Sequence, residues 1–217
     1  AIIGGGPGGY STALRAAELG KRVAMIERDA TLGGTCLNRG CIPSKALISA
    51  THAIDSIRHA GELGISATIN GIDYGTLHDY KKRIVDTMTQ GLAGLLAHRG
   101  VTVFRGVASI TGAARPITVH IAAPADGQDV QRSVRSDVPE DIGPSYDITA
   151  QDVVLAMGSA PRQLPGEPFR GAIIDSTRAM SMAMPHNAVI IGAGAIAAEF
   201  ASMWNAAGCK VTMLIRK

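Results

Sequence analysis

One pattern occurs twice in this chain, 188 residues apart: an apolar strand end, a glycine-rich loop, a helix and a second strand. Ile2-Ile3-Gly4-Gly5-Gly6 matches Ile190-Ile191-Gly192-Ala193-Gly194, with Ala13 at Ala201, Gly20 at Gly208 and Val23 at Val211. In the first copy Gly4-x-Gly6-x-x-Gly9 turns the strand into a helix running through Leu14, Ala17 and Leu19. The strand Val23 to Ile26 follows and ends at Glu27. In that context the glycines form a dinucleotide fingerprint. Gly4 permits the tight turn, Gly6 lets the backbone approach a pyrophosphate, and Gly9 allows the helix to pack closely. The helix N-terminus offers N–H groups and a positive dipole end to phosphate, and Glu27 is placed to accept hydrogen bonds from a ribose. In the second copy Gly192 and Gly194 recur and Ala197 takes the third glycine's place, a tolerated change. Two such units imply two dinucleotides.

The second strands end differently. Glu27 is matched by Ile215, followed by Arg216 and Lys217. No carboxylate stands there to hold a 2′-hydroxyl, and two cations can meet a 2′-phosphate, which favours NADPH. Because Arg28 follows Glu27 in the first copy as well, the choice between NAD and NADP stays open.

Close behind the first loop, Cys36 and Cys41 occur in Gly33-Gly34-Thr35-Cys36-Leu37-Asn38-Arg39-Gly40-Cys41-Ile42-Pro43-Ser44-Lys45. The pair is read as a redox-active disulfide beside a cofactor. Residues five apart in a helix lie roughly 8–9 Å apart, beyond the limit of about 7 Å for a disulfide. Bonding therefore requires a break in helical geometry, which Gly40 and Pro43 allow or force. A purely structural disulfide is disfavoured, because only three cysteines occur and no signal peptide is visible. Zinc is disfavoured because the motif offers two thiols and the histidines, His52, His59, His78, His98, His120 and His186, are scattered singly. No metal is expected, and Cys209 is read as a bystander.

A net charge of +3 with interspersed signs gives no electrostatic support for nucleic-acid or membrane-surface binding. No apolar run reaches the 18 or so residues of a spanning helix. The cysteine usage suits a cytoplasmic protein. Helices are expected from Lys45 to about His59 and from Leu77 to His98, the latter with Ile84, Val85, Met88, Leu92, Leu95 and Leu96 at helical spacing. Strands are expected at Val101 to Phe104, Val107 to Ile110 and Ile117 to Ile121. The polar stretch between Gly112 and Tyr146 reads as a β-meander with a long mobile loop from Asp126 to Pro144.

These residues carry a family resemblance. The segment from Gly34 to Leu47, the run Val154-Leu155-Ala156-Met157-Gly158-Ser159-x-Pro161-Arg162, and Phe200 to Trp204 resemble the N-terminal part of the pyridine-nucleotide disulfide oxidoreductases. The cysteine segment is most similar to the dihydrolipoamide dehydrogenase branch. The resemblance implies an α/β fold: a Rossmann-like FAD-binding domain, with parallel sheet and β-meander, followed by the start of a Rossmann-like NAD(P)-binding domain. Residues 1–158 would form the first, with the meander at about 112–146, and 159–217 the connection and the incomplete second. It implies FAD at Gly4, Gly6, Gly9, Glu27, Gly34, Thr35, Lys45, Ala156 and Gly158, and the nicotinamide nucleotide at Gly192, Gly194 and Ala197. Cys36 would be the interchange thiol and Cys41 the thiol facing the flavin. Lys45 would lie at the flavin, buried and paired with Glu199.

Implied partners are dihydrolipoamide or another dithiol or disulfide, a second subunit, and a 2-oxo acid dehydrogenase complex. Alternatives are an NADPH-dependent disulfide or mercuric reductase, and a non-catalytic nucleotide-binding module. Ala1 to Ile3 is short for a central strand, and the chain stops as its second unit finishes a second strand. A fragment is therefore expected, inactive alone, whose acid/base residues would lie beyond Lys217.

Overall fold

The protein is described by a computed structural model that covers residues 1–112, 114–133 and 140–215. In chain order its elements are β1 (Ile2–Ile3), α1 (Pro7–Glu18), β2 (Ala24–Glu27), α2 (Gly34–Arg39), α3 (Cys41–His59), α4 (Tyr74–His98), β3 (Thr102–Arg105), β4 (Val107–Gly112), β5 (Ile117–Ala122), β6 (Gln131–Ser133), β7 (Glu140–Asp141), β8 (Ser145–Ala150), β9 (Val154–Leu155), α5 (Ser176–Ala179), β10 (Asn187–Ile191), α6 (Ala195–Ala206) and β11 (Lys210–Leu214). The chain groups into two compact units, Ala1–Asn38 with Thr87–Ala160, and Arg39–Asp86 with Pro161–Lys217.

The first unit is built on a sheet of order β7-β6-β3-β2-β1-β9 among the described residues. β1, β2, β3 and β9 run parallel, and β6 and β7 add antiparallel at one edge. Although β1 has only two residues, it is hydrogen-bonded on both sides, to β2 and β9. Side chains of a strand alternate between faces, and each face has its own core. Ile2 and Met25 pack with Ala13, Val23, Leu96 and Val101, under α1 and the end of α4. Ile3, Ile26 and Phe104 pack with Val119, Ile121 and Val130 on the opposite side. That second layer is the expected meander, an antiparallel sheet of order β4-β5-β8.

The stretch from Asp126 to Pro144 departs from the expected mobile loop. It contributes β6 and β7 to the main sheet, with Phe104 opposite Arg132 and Val130 fully buried; residues 134–139 lie outside the described set. The two short strands are not legible in the sequence because edge strands carry polar side chains, here Gln131 to Ser133 and Glu140 to Asp141, with Val130 and Ile142 the apolar residues that flank them in the described part.

In the second unit α6 packs on β10 and β11, which pair in parallel, and α3 packs on α6. Leu47, Phe200, Met203 and Trp204 form its core with Ala179, Met180 and Cys209. Both long helices start earlier than expected. α4 begins at Tyr74, where Asp73 accepts hydrogen bonds from the Thr76 N–H and hydroxyl, a capping interaction that holds the Asp73 carboxyl below its usual range. α3 begins at Cys41, so Pro43 occupies its first turn, where the missing N–H costs nothing. The short helices α2 and α5, of six and four residues, were not foreseen from hydrophobic periodicity, since fewer than two turns are too short to show it.

Candidate functional site

The two repeats share backbone geometry as well as sequence. Ile2 faces Met25 and Ile3 faces Ile26, and 188 positions on Ile190 faces Met213 and Ile191 faces Leu214. Each loop opens with a glycine at positive φ, +105° at Gly4 and +126° at Gly192. Each helix has 12 residues and an N-cap glycine, Gly6 or Gly194, with no side-chain cap. The first turn of such a helix keeps its N–H groups for an outside acceptor, and the dipole favours an anion there.

In the first unit the loop is packed to backbone contact. A Cβ on Gly4 would sit 2.2 Å from the Ala156 carbonyl oxygen, and one on Gly9 only 1.8 Å from the Gly4 carbonyl oxygen. Ala156 closes this side by donating its N–H to the Ile3 carbonyl at 2.8 Å, and Gly158 follows in exposed chain. Glu27 is buried at 8% exposure, and its two oxygens accept from the Gly5 N–H at 2.7 Å and the Asp29 N–H at 2.8 Å. The carboxylate thus fixes the loop, while a carboxylate's further lone pairs remain for another donor.

The chain returns to this loop at the cysteine segment. The Gly33 N–H donates to the Gly5 carbonyl at 2.8 Å, and a Cβ on Gly34 would meet the Gly6 Cα at 2.7 Å. α2 therefore starts against the fingerprint, with Thr35 exposed and Cys36 half-buried on it. Asn38, missed in the sequence, anchors α2: its amide donates to the Leu32 and Gly34 carbonyls at 3.0 Å, and its Oδ1 accepts from the Thr31 hydroxyl. Gly4, Gly6, Gly9, Glu27, Gly34 and Ala156 thus gather at the C-terminal ends of β1, β2 and β9, where ligands bind in open α/β sheets. The glycine backbone without Cβ atoms, the uncapped α1 terminus and the Glu27 carboxylate fit the ADP half of a dinucleotide.

Helical geometry breaks at Gly40, with φ −139° and ψ −112°, between α2 and α3. Cys41 is the exposed first residue of α3.

Within the second unit Lys45 Nζ pairs with Glu199 Oε1, joining α3 to the first turns of α6. Ser44, also missed in the sequence, is buried at 4% exposure; its hydroxyl lies 3.1 Å from both Glu199 Oε2 and the Cys41 carbonyl. The Lys45 ammonium holds the Glu199 carboxyl below its usual range; Ser44 adds to this, against the opposing effect of burial. The expectation of a buried lysine is corrected. The Lys45 side chain is 58% exposed, a screened pair worth about 0–1 kcal/mol. No serine signal pointed to Ser44, because only the docking of α3 on α6 gives its hydroxyl a carboxylate.

Gly192 donates its N–H to the Leu214 carbonyl at 2.9 Å, and Ala197 lies half-buried in the first turn of α6. Ile215 is 65% exposed. Arg216 and Lys217, the cations expected to meet a 2′-phosphate, lie outside the described residues. Burial pushes the Cys209 thiol pKa up, as suits an unreactive core cysteine.

Two glycine-loop units of one geometry, with a cysteine pair in the segment that leaves the first, define a class of α/β proteins built on paired dinucleotide-type folds. A family model described as pyridine nucleotide-disulphide oxidoreductase matches residues 1–217. The chain is 37% identical over 214 residues to the dihydrolipoyl dehydrogenase of Chlamydia pneumoniae, which covers 98% of this chain and 41% of that protein. Among solved structures it is similar to LpdA of Mycobacterium tuberculosis, with TM-score 0.81 and 26% identity over 99% of this chain and 44% of that one. It is also similar to the HOCl-induced flavoprotein disulfide reductase RclA of Escherichia coli, with TM-score 0.72 and 25% identity over 99% and 41%. The chain belongs to the pyridine nucleotide-disulphide oxidoreductase family. It spans less than half the length of these relatives. Among the described residues no helix is long and apolar enough to cross a membrane.

Proposed function

We propose that this chain is the electron-relay half of a flavoprotein of the dihydrolipoyl dehydrogenase type, passing electrons between a dithiol and a nicotinamide nucleotide. The observation that carries the reading is the seating of Gly33 and Gly34 on Gly5 and Gly6, which starts the cysteine helix at the nucleotide loop. Gly4, Gly6, Gly9, Glu27, Gly34, Thr35, Ala156 and Gly158 would hold FAD, with Lys45 at its ring system. Gly192, Gly194 and Ala197 would hold NAD, so that residues 1–158 and 159–217 serve as the two nucleotide domains. When bound, FAD supplies a two-electron acceptor between the thiols and the nicotinamide.

The protein's own part is thiol exchange and charge placement. A substrate thiolate attacks Cys36 of a Cys36–Cys41 disulfide; a bond forms to the Cys36 sulfur, the disulfide breaks and Cys41 leaves as thiolate. The second substrate thiolate then displaces Cys36, leaving oxidised substrate and a reduced pair. Lys45, oriented by Glu199, places positive charge where negative charge develops. The substrate is dihydrolipoamide, and the full-length protein works as a homodimer alongside a 2-oxo acid dehydrogenase complex.

A second reading, an NADPH-dependent disulfide reductase, draws on Ile215 standing where Glu27 stands in the first repeat, and on the likeness to a flavoprotein disulfide reductase. Stopped-flow reduction of the flavin-loaded full-length protein separates the two. Rapid bleaching by dihydrolipoamide and NADH is expected, with the dihydrolipoamide phase lost in Cys36→Ser. Strong preference for NADPH would replace the first reading by the second.

A further inference from the structure

The second unit encloses a cavity of about 20 Å³ lined by four methionines, Met180, Met182, Met184 and Met203, together with Trp204 and His78. It belongs to neither glycine loop and plays no part in the chemistry above. Three of the methionines come from one short run, Met180-Ser181-Met182-Ala183-Met184, that follows α5. Met180 and Met203 are sealed at 4% and 2% exposure, whereas Met182 and Met184 are half-buried and reachable from solvent. The cavity thus has an inner wall of protected thioethers and an outer wall of accessible ones.

We infer that Met182 and Met184 form an oxidation site at which a peroxide-class oxidant converts buried packing into a polar lesion. The sulfur attacks a peroxide oxygen; the O–O bond breaks, an S–O bond forms and water leaves, so the thioether loses the two electrons the peroxide gains. The sulfoxide is polar, and its oxygen needs a hydrogen-bond donor that the thioether did not. The cavity wall has already committed its hydroxyls: Thr51 donates to the Ile48 carbonyl at 3.0 Å and Tyr74 to the Ala207 carbonyl at 3.3 Å. His78 turns its Nδ1 to Lys81 at 3.0 Å. Met182 and Met184, being half-buried, have water within reach, and a sulfoxide there that swings out to it leaves the wall open.

The consequence reaches the ion pair. Met203 lies one turn after Glu199 on α6, and Leu47, which lines the same cavity, lies two residues after Lys45 on α3. Opening the wall loosens the packing of α3 on α6 that brings Lys45 to Glu199. The reversible character of methionine sulfoxide makes this a resettable mark.

Trp204 is the chain's sole tryptophan, lines the cavity and contacts Phe200 edge-on at 5.3 Å between centroids, so its emission reports this wall alone. The experiment treats thiol-alkylated protein with hydrogen peroxide and follows peptide masses, Trp204 emission and thermal unfolding. Expected are sulfoxides at Met182 and Met184 ahead of Met180 and Met203, a red-shifted Trp204 emission, and a midpoint lowered by about 5 °C. Methionine sulfoxide reductases should reverse all three. A Met182→Leu, Met184→Leu variant, close to isosteric, should fold with unaltered emission and resist the shift. Sulfoxides at both positions with unchanged Trp204 emission would overturn the inference, as would an equal shift in the leucine variant. None of these readouts uses flavin or a dithiol substrate, so the outcome is independent of the proposed electron relay.

Discussion

At the residue scale, glycines and one carboxylate do the most specific work. Gly9 has no room for a methyl group, because the clash is with the backbone carbonyl of Gly4, a residue whose own N–H is bonded to the Ile26 carbonyl of β2. Gly9→Ala should lower stability by about 1–3 kcal/mol in urea denaturation, and should cost flavin retention in the full-length protein. A change of less than about 1 kcal/mol would mean that α1 can retreat from the loop. Both the role of Gly9 and the position of Glu27 were legible from residue type and spacing. The grip of Glu27 on the Gly5 N–H was not, since it depends on how the end of β2 meets the loop in three dimensions.

At the scale of elements, the seam between α3 and α6 carries a testable electrostatic signature. Glu199 has its carboxyl pKa lowered, first by Lys45 and then by Ser44. A lowered folded-state pKa contributes stability above the unfolded carboxylate value near 4.3, and that contribution is lost as pH falls through the folded value. Ser44→Ala removes a buried donor and should cost about 1–2 kcal/mol at pH 7. The deficit should shrink as pH is lowered from about 4 through the depressed folded value, where Glu199 takes up its proton and no longer needs the hydroxyl. Urea titrations of both proteins at the two pH values check this; a deficit independent of pH would assign Ser44 to packing alone. Of the helices of this seam, α6 was legible from the repeat and α3 as a helix from Lys45 to about His59, but α3 starts at Cys41 because Gly40 supplies the break and Pro43 is accommodated in the first turn.

At the scale of the whole molecule, the repeat gives two loops of one geometry in different surroundings. The first lies in a sheet covered on both faces, by α1 with the end of α4 and by the meander. In the second, β10 and β11 bury Ala188, Ile190 and Val211 against α6 while Val189, Ile191 and Leu214 are 63%, 62% and 53% exposed. Contiguous apolar surface of this kind binds hydrophobic dyes and promotes association. This chain should enhance the fluorescence of an anilinonaphthalene sulfonate, and Val189→Lys with Ile191→Lys should remove most of the gain. Enhancement that survives both lysines would place the dye elsewhere.

Sequence alone determined the two glycine-loop units, the cysteine segment that follows the first of them and the Lys45–Glu199 pairing. Each is written in local residue type or in a resemblance carried by contiguous motifs: glycines where the backbone must turn or approach, alternating apolar residues where a strand is covered. Tertiary structure decided the rest. It turned the polar stretch after Asp126 into edge strands, gave Ser44 and Asn38 their partners, left Lys45 half in water, and closed four methionines round Trp204. The physical reason is the same in each case: the partner is distant in sequence, so its contribution appears only when packing brings the two together.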